Sequence, residues 1–258
     1  MKIFSTLPLF FTLISTTISA QKLEVKYQEI THIDEEALKV SIQSNSKSKK
    51  LPDNFKENML KNLTDPKDYL LTIYDNQSYY KKEEKISNSQ SGGSSFSISF
   101  SGVGNGLFKD ISENEYLTSV SMFNKEYTIK DQLTDYQWKL SRETKNILGF
   151  DVKKATSTTD TGNTVTAWYA PSIPVKNGPA MYNGLPGLIL EVETTNSKSK
   201  LKENTLIKAV EVKEDPALKP IQKPKEKNVI TDEEFKNISE TQFKQFKQMN
   251  SEGVDRKD

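Results

Sequence analysis

Cysteine is absent from this sequence of 258 residues, and histidine occurs once. Without thiols the chain forms neither disulfides nor thiolate metal sites, and it cannot carry a lipid on an N-terminal cysteine. His32 lies in the segment THIDEE with no nucleophile motif around it, which gives a Ser-His-Asp mechanism no support. Calcium-loop spacing is missing as well. We therefore predict no metal, no cofactor and no catalytic residue.

An excess of charge of one sign is also lacking. Lys and Arg number 36 against 35 Asp and Glu, so the formal net charge is only +1 although 28% of residues are charged. Such a balance gives no electrostatic reason to expect nucleic acid or an acidic membrane surface as a partner. The hydrophobic fraction of 34% is low, which suits a β protein with long polar loops and one solvated sheet face.

Long apolar runs are missing except at the N-terminus. Lys2 supplies a positive charge, residues 3–18 are mostly apolar, and Ser19-Ala20 provides small residues at the end. This order predicts a secretory signal peptide cut after Ala20, and hence a protein of the periplasm, the cell envelope or the medium. A membrane anchor is the alternative, but the run is short for a span and is interrupted by hydroxyl residues.

What the sequence does contain is a series of short segments with period-two alternation. They cover residues 23–27, 69–73, 96–100, 116–123, 126–129, 136–140, 147–155, 165–169, 188–192 and 206–212. Phe55, Met59 and Leu63 recur instead at helical spacing. We predict a mainly β fold, an antiparallel meander with a short N-terminal helix. Of a sandwich and a curved sheet we favour the curved sheet, a half-barrel that resembles LolA-type carriers by analogy.

The chain divides by composition into four parts. The signal peptide (1–20) precedes a β domain (21–212), a Pro- and Lys-rich linker (213–230) and an amphipathic helix (231–250). Thr231 and Glu234 have capping-box spacing at the start of that helix. Its apolar face, with Phe235 foremost, either docks on the sheet or binds a partner.

Aromatic, Pro and Gly residues are concentrated in residues 165–193, where two strands flank a link that Pro171 and Pro174 should make rigid. Residues 182–191, YNGLPGLILE, are similar to the signature of the GLPGLI family of secreted Bacteroidota proteins. Residues 138–155 resemble the same family. The resemblance implies export and no assigned activity. Because genes of this type often lie near TonB-dependent transporters, it also implies an accessory role at the outer membrane.

The structural part of this motif is the run Gly184, Leu185, Pro186, Gly187, Leu188 and Ile189, and we expect Leu188 and Leu190 to be core. For ligand or partner binding we predict that Trp168, Tyr169, Tyr182 and Glu191 lie together and line a pocket or patch. Trp138, by contrast, is predicted to be core. The expected function is capture of an apolar small molecule or an envelope protein partner. A carboxylate-dependent hydrolase that uses Glu191 is the alternative.

Overall fold

The computed structural model describes residues 21–38, 40, 60–61, 63–83, 106–122, 125–196, 199 and 202–252, without the side chains of 243 and 246–252. The predicted signal peptide, the predicted strand 96–100 and most of the predicted helix around Met59 lie outside these residues. The strands are β1 (Lys22–His32), β2 (Lys67–Tyr74), β3 (Gln77–Lys82), β4 (Leu107–Asp110), β5 (Glu115–Met122), β6 (Lys125–Gln132), β7 (Lys139–Ile147), β8 (Phe150–Thr158), β9 (Thr164–Ala170), β10 (Leu188–Thr195), β11 (Asn204–Glu214) and β12 (Val229–Ile230).

All twelve strands belong to one sheet, in the order β12-β6-β5-β4-β3-β2-β1-β11-β10-β9-β8-β7. Neighbours in sequence are mostly neighbours in space, and every pair is antiparallel except β12 with β6. The predicted mainly β meander is therefore confirmed. Helical structure in the described residues comprises a turn at 35–38, residues near 60–64 and the C-terminal helix Asp232–Glu252. None of these described helices is both long and apolar enough to cross a membrane.

The connection from β6 to β7 shows that the sheet is strongly curved. β6 is second and β7 twelfth in the strand order, so ten spacings of about 4.8 Å would separate them by about 48 Å in a flat sheet. The link between them, residues 133–138, joins Gln132 to Lys139 and can span at most about 25 Å. The sheet must therefore curl until both ends come near each other, although its described edges do not pair into a closed barrel.

Alternation explains the core of this sheet. Val25 and Tyr27 of β1 face Leu71 and Tyr69 of β2 in register, and all four side chains are almost fully buried. Residues directly opposite each other on antiparallel strands share a face of the sheet. The predicted apolar positions of these two strands thus form one continuous buried surface, as the period of two requires.

Two predicted strands were wrong in their bounds. Residues 136–138 are irregular, and β7 begins only at Lys139. The predicted strand 147–155 is interrupted by a tight hairpin turn at Leu148 and Gly149, where φ is +52° and +86°. Two successive positive φ values match the right-handed twist of a hairpin. Because Leu is unusual at such a position, the sequence contained only half of the expected turn signal.

Three strands were missed. The segment of β3 was interpreted as polar, although Ser78 and Tyr80 alternate as its buried residues. All four residues of β4 are buried, and a strand buried on both faces lacks the alternation by which strands are recognised. β12 comprises only two residues within the predicted linker and pairs in parallel with β6.

The C-terminal region is held to the sheet at several points. Lys227 forms an ion pair with Glu126 at 3.0 Å, and its carbonyl oxygen accepts a 2.8 Å bond from the Thr128 amide. The capping box is confirmed, since the Thr231 amide donates to Glu234 Oε2 at 2.8 Å and the Glu234 amide donates to Thr231 Oγ1 at 3.1 Å. Phe235 then packs against the main core, so the first turns of the helix dock on the β domain.

Candidate functional site

The link between β9 and β10, residues 171–187, lies against the sheet rather than projecting from it. Val175 and Leu185 are buried, and Val175 belongs to the same apolar cluster as Tyr27 and Leu71. The Ile189 amide donates to the Asn177 carbonyl at 3.0 Å, and Asn177 Nδ2 donates to Ser78 Oγ at 2.8 Å. The link therefore packs against the sheet core.

A buried lysine holds this link in place. Lys109 of β4 is 0% exposed, and its Nζ donates to the carbonyl oxygens of Gly178 at 2.8 Å, Ala180 at 2.7 Å and Tyr182 at 3.2 Å. An ammonium group has three donors, so these three acceptors match it in number. Burial lowers the pKa of Lys109 to about 7, whereas the three carbonyl dipoles favour the charged form.

A β-bulge decides which side chains meet across β9 and β10. Ile189 pairs with Tyr169 and Glu191 pairs with Trp168, so Leu190 is the extra residue between them. The bulge shifts the alternation by one position. Without it, Trp168 would lie opposite Leu190 and Glu191 would point to the other face.

Trp168 and Glu191, both predicted site residues, are brought together with a third group. Lys145 of β7 places its Nζ 2.6 Å from Glu191 Oε1 and 4.3 Å from the centre of the Trp168 ring. This arrangement combines an ion pair with a cation–π contact on a half-exposed surface. The Glu191 carboxylate is thus occupied by a lysine of the same chain. That engagement weakens its case as the acid of a hydrolase.

Tyr169 and Tyr182 lie elsewhere. Tyr169 is 3% exposed and belongs to a second apolar cluster on the opposite face from Trp168. Tyr182 bonds through its hydroxyl to Thr194 Oγ1 at 2.6 Å, and its ring centre lies 5.2 Å from that of Tyr136. The four predicted residues therefore do not form one constellation. One pair, Trp168 with Glu191, is in contact, and the two tyrosines are part of the packing around the link.

An open concave surface lies where the β6–β7 connection meets residues 184–187, here called the GLPG turn. Trp138 stacks on Tyr136 with ring centres 5.1 Å apart, and its Nε1 donates to the Asn183 carbonyl at 2.8 Å. Beside them opens a cleft of about 970 Å³, here called the mouth cleft. Its lining combines polar side chains with nearly as many aromatic and apolar ones: Asn114, Gln132, Leu133, Thr134, Asp135, Tyr136, Gln137, Trp138, Lys139, Leu140, Asn183, Gly184, Leu185 and Pro186.

Two residues of this lining have a strained backbone. Asn114 and Gln137 adopt left-handed conformations with φ of +52° and +46°, and Gln137 is held there by Asp135, which accepts bonds from its amide and its side chain. Left-handed backbone at a non-glycine residue costs about 1–3 kcal/mol and is frequent at ligand sites. Sequence reasoning assigned Trp138 to the core because Tyr136, Trp138 and Leu140 alternate. Gln137 is not a residue type that favours turns, so nothing in the sequence indicated that the predicted strand 136–140 would be interrupted there.

Comparison with known proteins adds a family resemblance over part of this region. Residues 158–191, from the end of β8 to the start of β10, match a family described as "Protein of unknown function (Porph_ging)". Over this segment the chain resembles an uncharacterised family. No curated protein matches the chain.

Among solved structures, two crystal forms of PNGF-II are similar at 18% identity, with TM-scores of 0.47 and 0.45. Each alignment covers 78% of this chain but only 29% of PNGF-II, so the chain spans less than a third of that protein. An uncharacterized conserved protein from Thermus thermophilus is similar at 10% identity and a TM-score of 0.33, over 80% of this chain and 90% of its own. These likenesses are too distant to transfer a function.

Proposed function

We propose that this chain is a binding protein of the cell envelope that captures an extended segment of a partner protein in the mouth cleft. The observation that carries the proposal is the cleft itself, which lies between the β6–β7 connection and the GLPG turn. Its volume of about 970 Å³ is at the upper end of the range for ligand pockets. Its walls come from irregular segments supported by a rigid sheet, an arrangement that is common in binding sites.

The chemistry of the lining suits a peptide. The half-buried Trp138 and the exposed Leu140, 59% accessible, offer apolar contact, and rigid aromatic rings contribute strongly to binding at low entropic cost. The side-chain amides of Asn114, Gln132 and Gln137 can donate to and accept from a peptide backbone.

An apolar small molecule is the less favoured ligand. The link 171–187 packs on the sheet core with Val175 and Leu185 buried, so the chain itself occupies the place in which a half-barrel carrier would hold such a molecule. The lining of the mouth cleft mixes polar side chains with apolar and aromatic ones. An extended chain with alternating side chains and a polar backbone matches this mixture better than a hydrocarbon does.

The cellular setting of the proposal rests on the sequence. The N-terminal pattern of Lys2, an apolar run and Ser19-Ala20 is that of an exported protein, and the run YNGLPGLILE resembles the GLPGLI family of secreted proteins. We therefore place the partner in the envelope, where an outer-membrane TonB-dependent transporter is the candidate that the family resemblance implies.

Site-specific photocrosslinking tests the proposal. A photoreactive phenylalanine analogue replaces Leu140 at the cleft or, as a matched control, Leu148 at the β7–β8 turn, since both positions are exposed. We expect a discrete crosslinked product in envelope preparations from position 140 only, and its loss when Trp138→Ala is added. Equal products at both positions, or an undiminished product with Trp138→Ala, would refute the proposed site. An apolar molecule retained in native mass spectra, with no crosslink, would replace the protein partner.

A further inference from the structure

The mouth cleft depends on a residue that does not line it. Lys109 is on β4, flanked in register by Ser78 of β3 and Tyr116 of β5. Its Nζ reaches carbonyl oxygens at positions 178, 180 and 182 of the link. The next residue, Asn183, is part of the cleft wall and accepts the Trp138 bond.

From this sequence of contacts we infer that Lys109 is a positioning residue for the mouth cleft, because its ammonium group sets the path of the link as it enters the GLPG turn. Other bonds hold the link elsewhere: Asn177 binds Ser78, and the Leu188 amide donates to the Ile173 carbonyl at 2.9 Å. Between Gly178 and Tyr182, the three carbonyls bound by Lys109 are alternate residues of one short segment. A single cation therefore binds three carbonyls of the half of the link that leads into the cleft. The other contacts of this half include the Tyr182 hydroxyl bond to Thr194 and the bonds from the Tyr182 and Gly184 amides to the Pro179 and Lys176 carbonyls.

The chemistry explains why a lysine is needed at this position. Three buried carbonyl oxygens around one point form an electronegative cage, which only a cation or several donors can satisfy. An apolar side chain of the same length would fill the volume but leave three acceptors unsatisfied, and the segment would move to recover hydrogen bonds. Arg is no substitute, since its planar fork does not present three donors from one atom.

The inference rests on the proposed function only because that function makes the cleft the binding site. The positioning role of Lys109 can be tested without a partner protein. Because the chain has no cysteine, Lys109→Cys introduces a unique thiol. Alkylation of this thiol in denaturant followed by refolding gives two matched side chains of lysine length. An aminoethyl group restores the terminal ammonium, and a propyl group places a methyl there instead.

The measurement is the rate of hydrogen exchange at the Trp138 indole N–H, detected by nitrogen-15 NMR. The Trp168 indole N–H is the internal control. The aminoethylated protein should exchange like the wild type at both indoles. The propylated protein should exchange about threefold to tenfold faster at Trp138, as expected for the loss of one hydrogen bond, with Trp168 unchanged. If the propylated protein does not refold while the aminoethylated protein does, the requirement for the ammonium is equally supported.

Two outcomes would overturn the inference: wild-type exchange at Trp138 in both modified proteins, or failure of the aminoethylated protein to recover it. Neither outcome depends on partner capture. A failure of crosslinking at position 140 with intact Trp138 protection would count against the proposed function alone.

Discussion

Gly187 offers the sharpest test of the packing that places the GLPG turn against the sheet. A Cβ built at this position would lie 2.3 Å from the Ala170 carbonyl oxygen and 2.7 Å from the Ala170 carbonyl carbon. Both are backbone atoms of β9, which pairs with β10 one residue further on. They cannot yield without displacing the strand end. Overpacking of this kind typically lowers the free energy of unfolding by about 1–3 kcal/mol. Because the atoms in contact are backbone atoms, we expect the loss for Gly187→Ala to be about 3 kcal/mol or more.

Gly149 is the matched control, since its φ is +86° but a Cβ there would meet nothing within 4 Å. Gly149→Ala should therefore cost only the strain of a Cβ in left-handed backbone, about 1–2 kcal/mol. Gly184→Ala, with φ of +88° and its nearest contact at 3.8 Å, should resemble Gly149→Ala. Urea unfolding followed by far-UV circular dichroism gives the three free energies. Equal losses at Gly187 and Gly149 would refute the close approach of the turn to β9.

Three further predictions concern the pH dependence, the bulge and the Trp168 cluster. The pKa of Lys109 is about 7 in the folded protein against 10.5 for free lysine. The unfolded state thus binds more protons between these values, so the free energy of unfolding should rise with pH above 7, and urea melts of Lys109→Met should lack this rise. Over the same pH range the Trp138 indole should lose protection from exchange, because a neutral amine has only two N–H donors for the three carbonyl oxygens. Leu190→Ala, at a bulge residue that is 0% exposed, should cost about 2–5 kcal/mol in a denaturant melt, and a loss under 1 kcal/mol would contradict its burial. Lys145→Ala should shift the emission of Trp168 in a Trp138→Phe background while costing no more than about 1 kcal/mol, and unchanged emission would show that the cation–π contact does not form.

Much of the fold could be predicted because its strands carry a strict period of two. Val25, Tyr27, Tyr69 and Leu71 reveal both their strands and their buried face, since one face of an antiparallel pair must be apolar for the sheet to pack. The capping box at Thr231 could be predicted for a similar reason, because its hydrogen bonds are local in the chain. For these segments, prediction and structure agree.

The site was decided by contacts that are distant in sequence. The bulge at Leu190 changes the face of Glu191, and no residue type signals it in advance. Trp138 belongs to the cleft wall because the six-residue connection that contains it must cross between the two ends of a curled sheet. This crossing follows from the strand order, and the alternating pattern of residues 136–140 does not reveal it. Lys109 meets its three carbonyls 69 to 73 residues further along the chain.

The sequence by itself thus determined most of the strands, where the aromatic and glycine-rich link begins and ends, and where the last helix is capped. Tertiary structure alone decided that Trp168 meets Lys145 and Glu191, that Tyr169 is core, and that a buried ammonium orders the turn beside the mouth cleft. The physical reason is one of range. Backbone periodicity and capping act over a few residues, whereas burial, charge pairing and hydrogen bonding in the interior depend on which strands the topology makes neighbours.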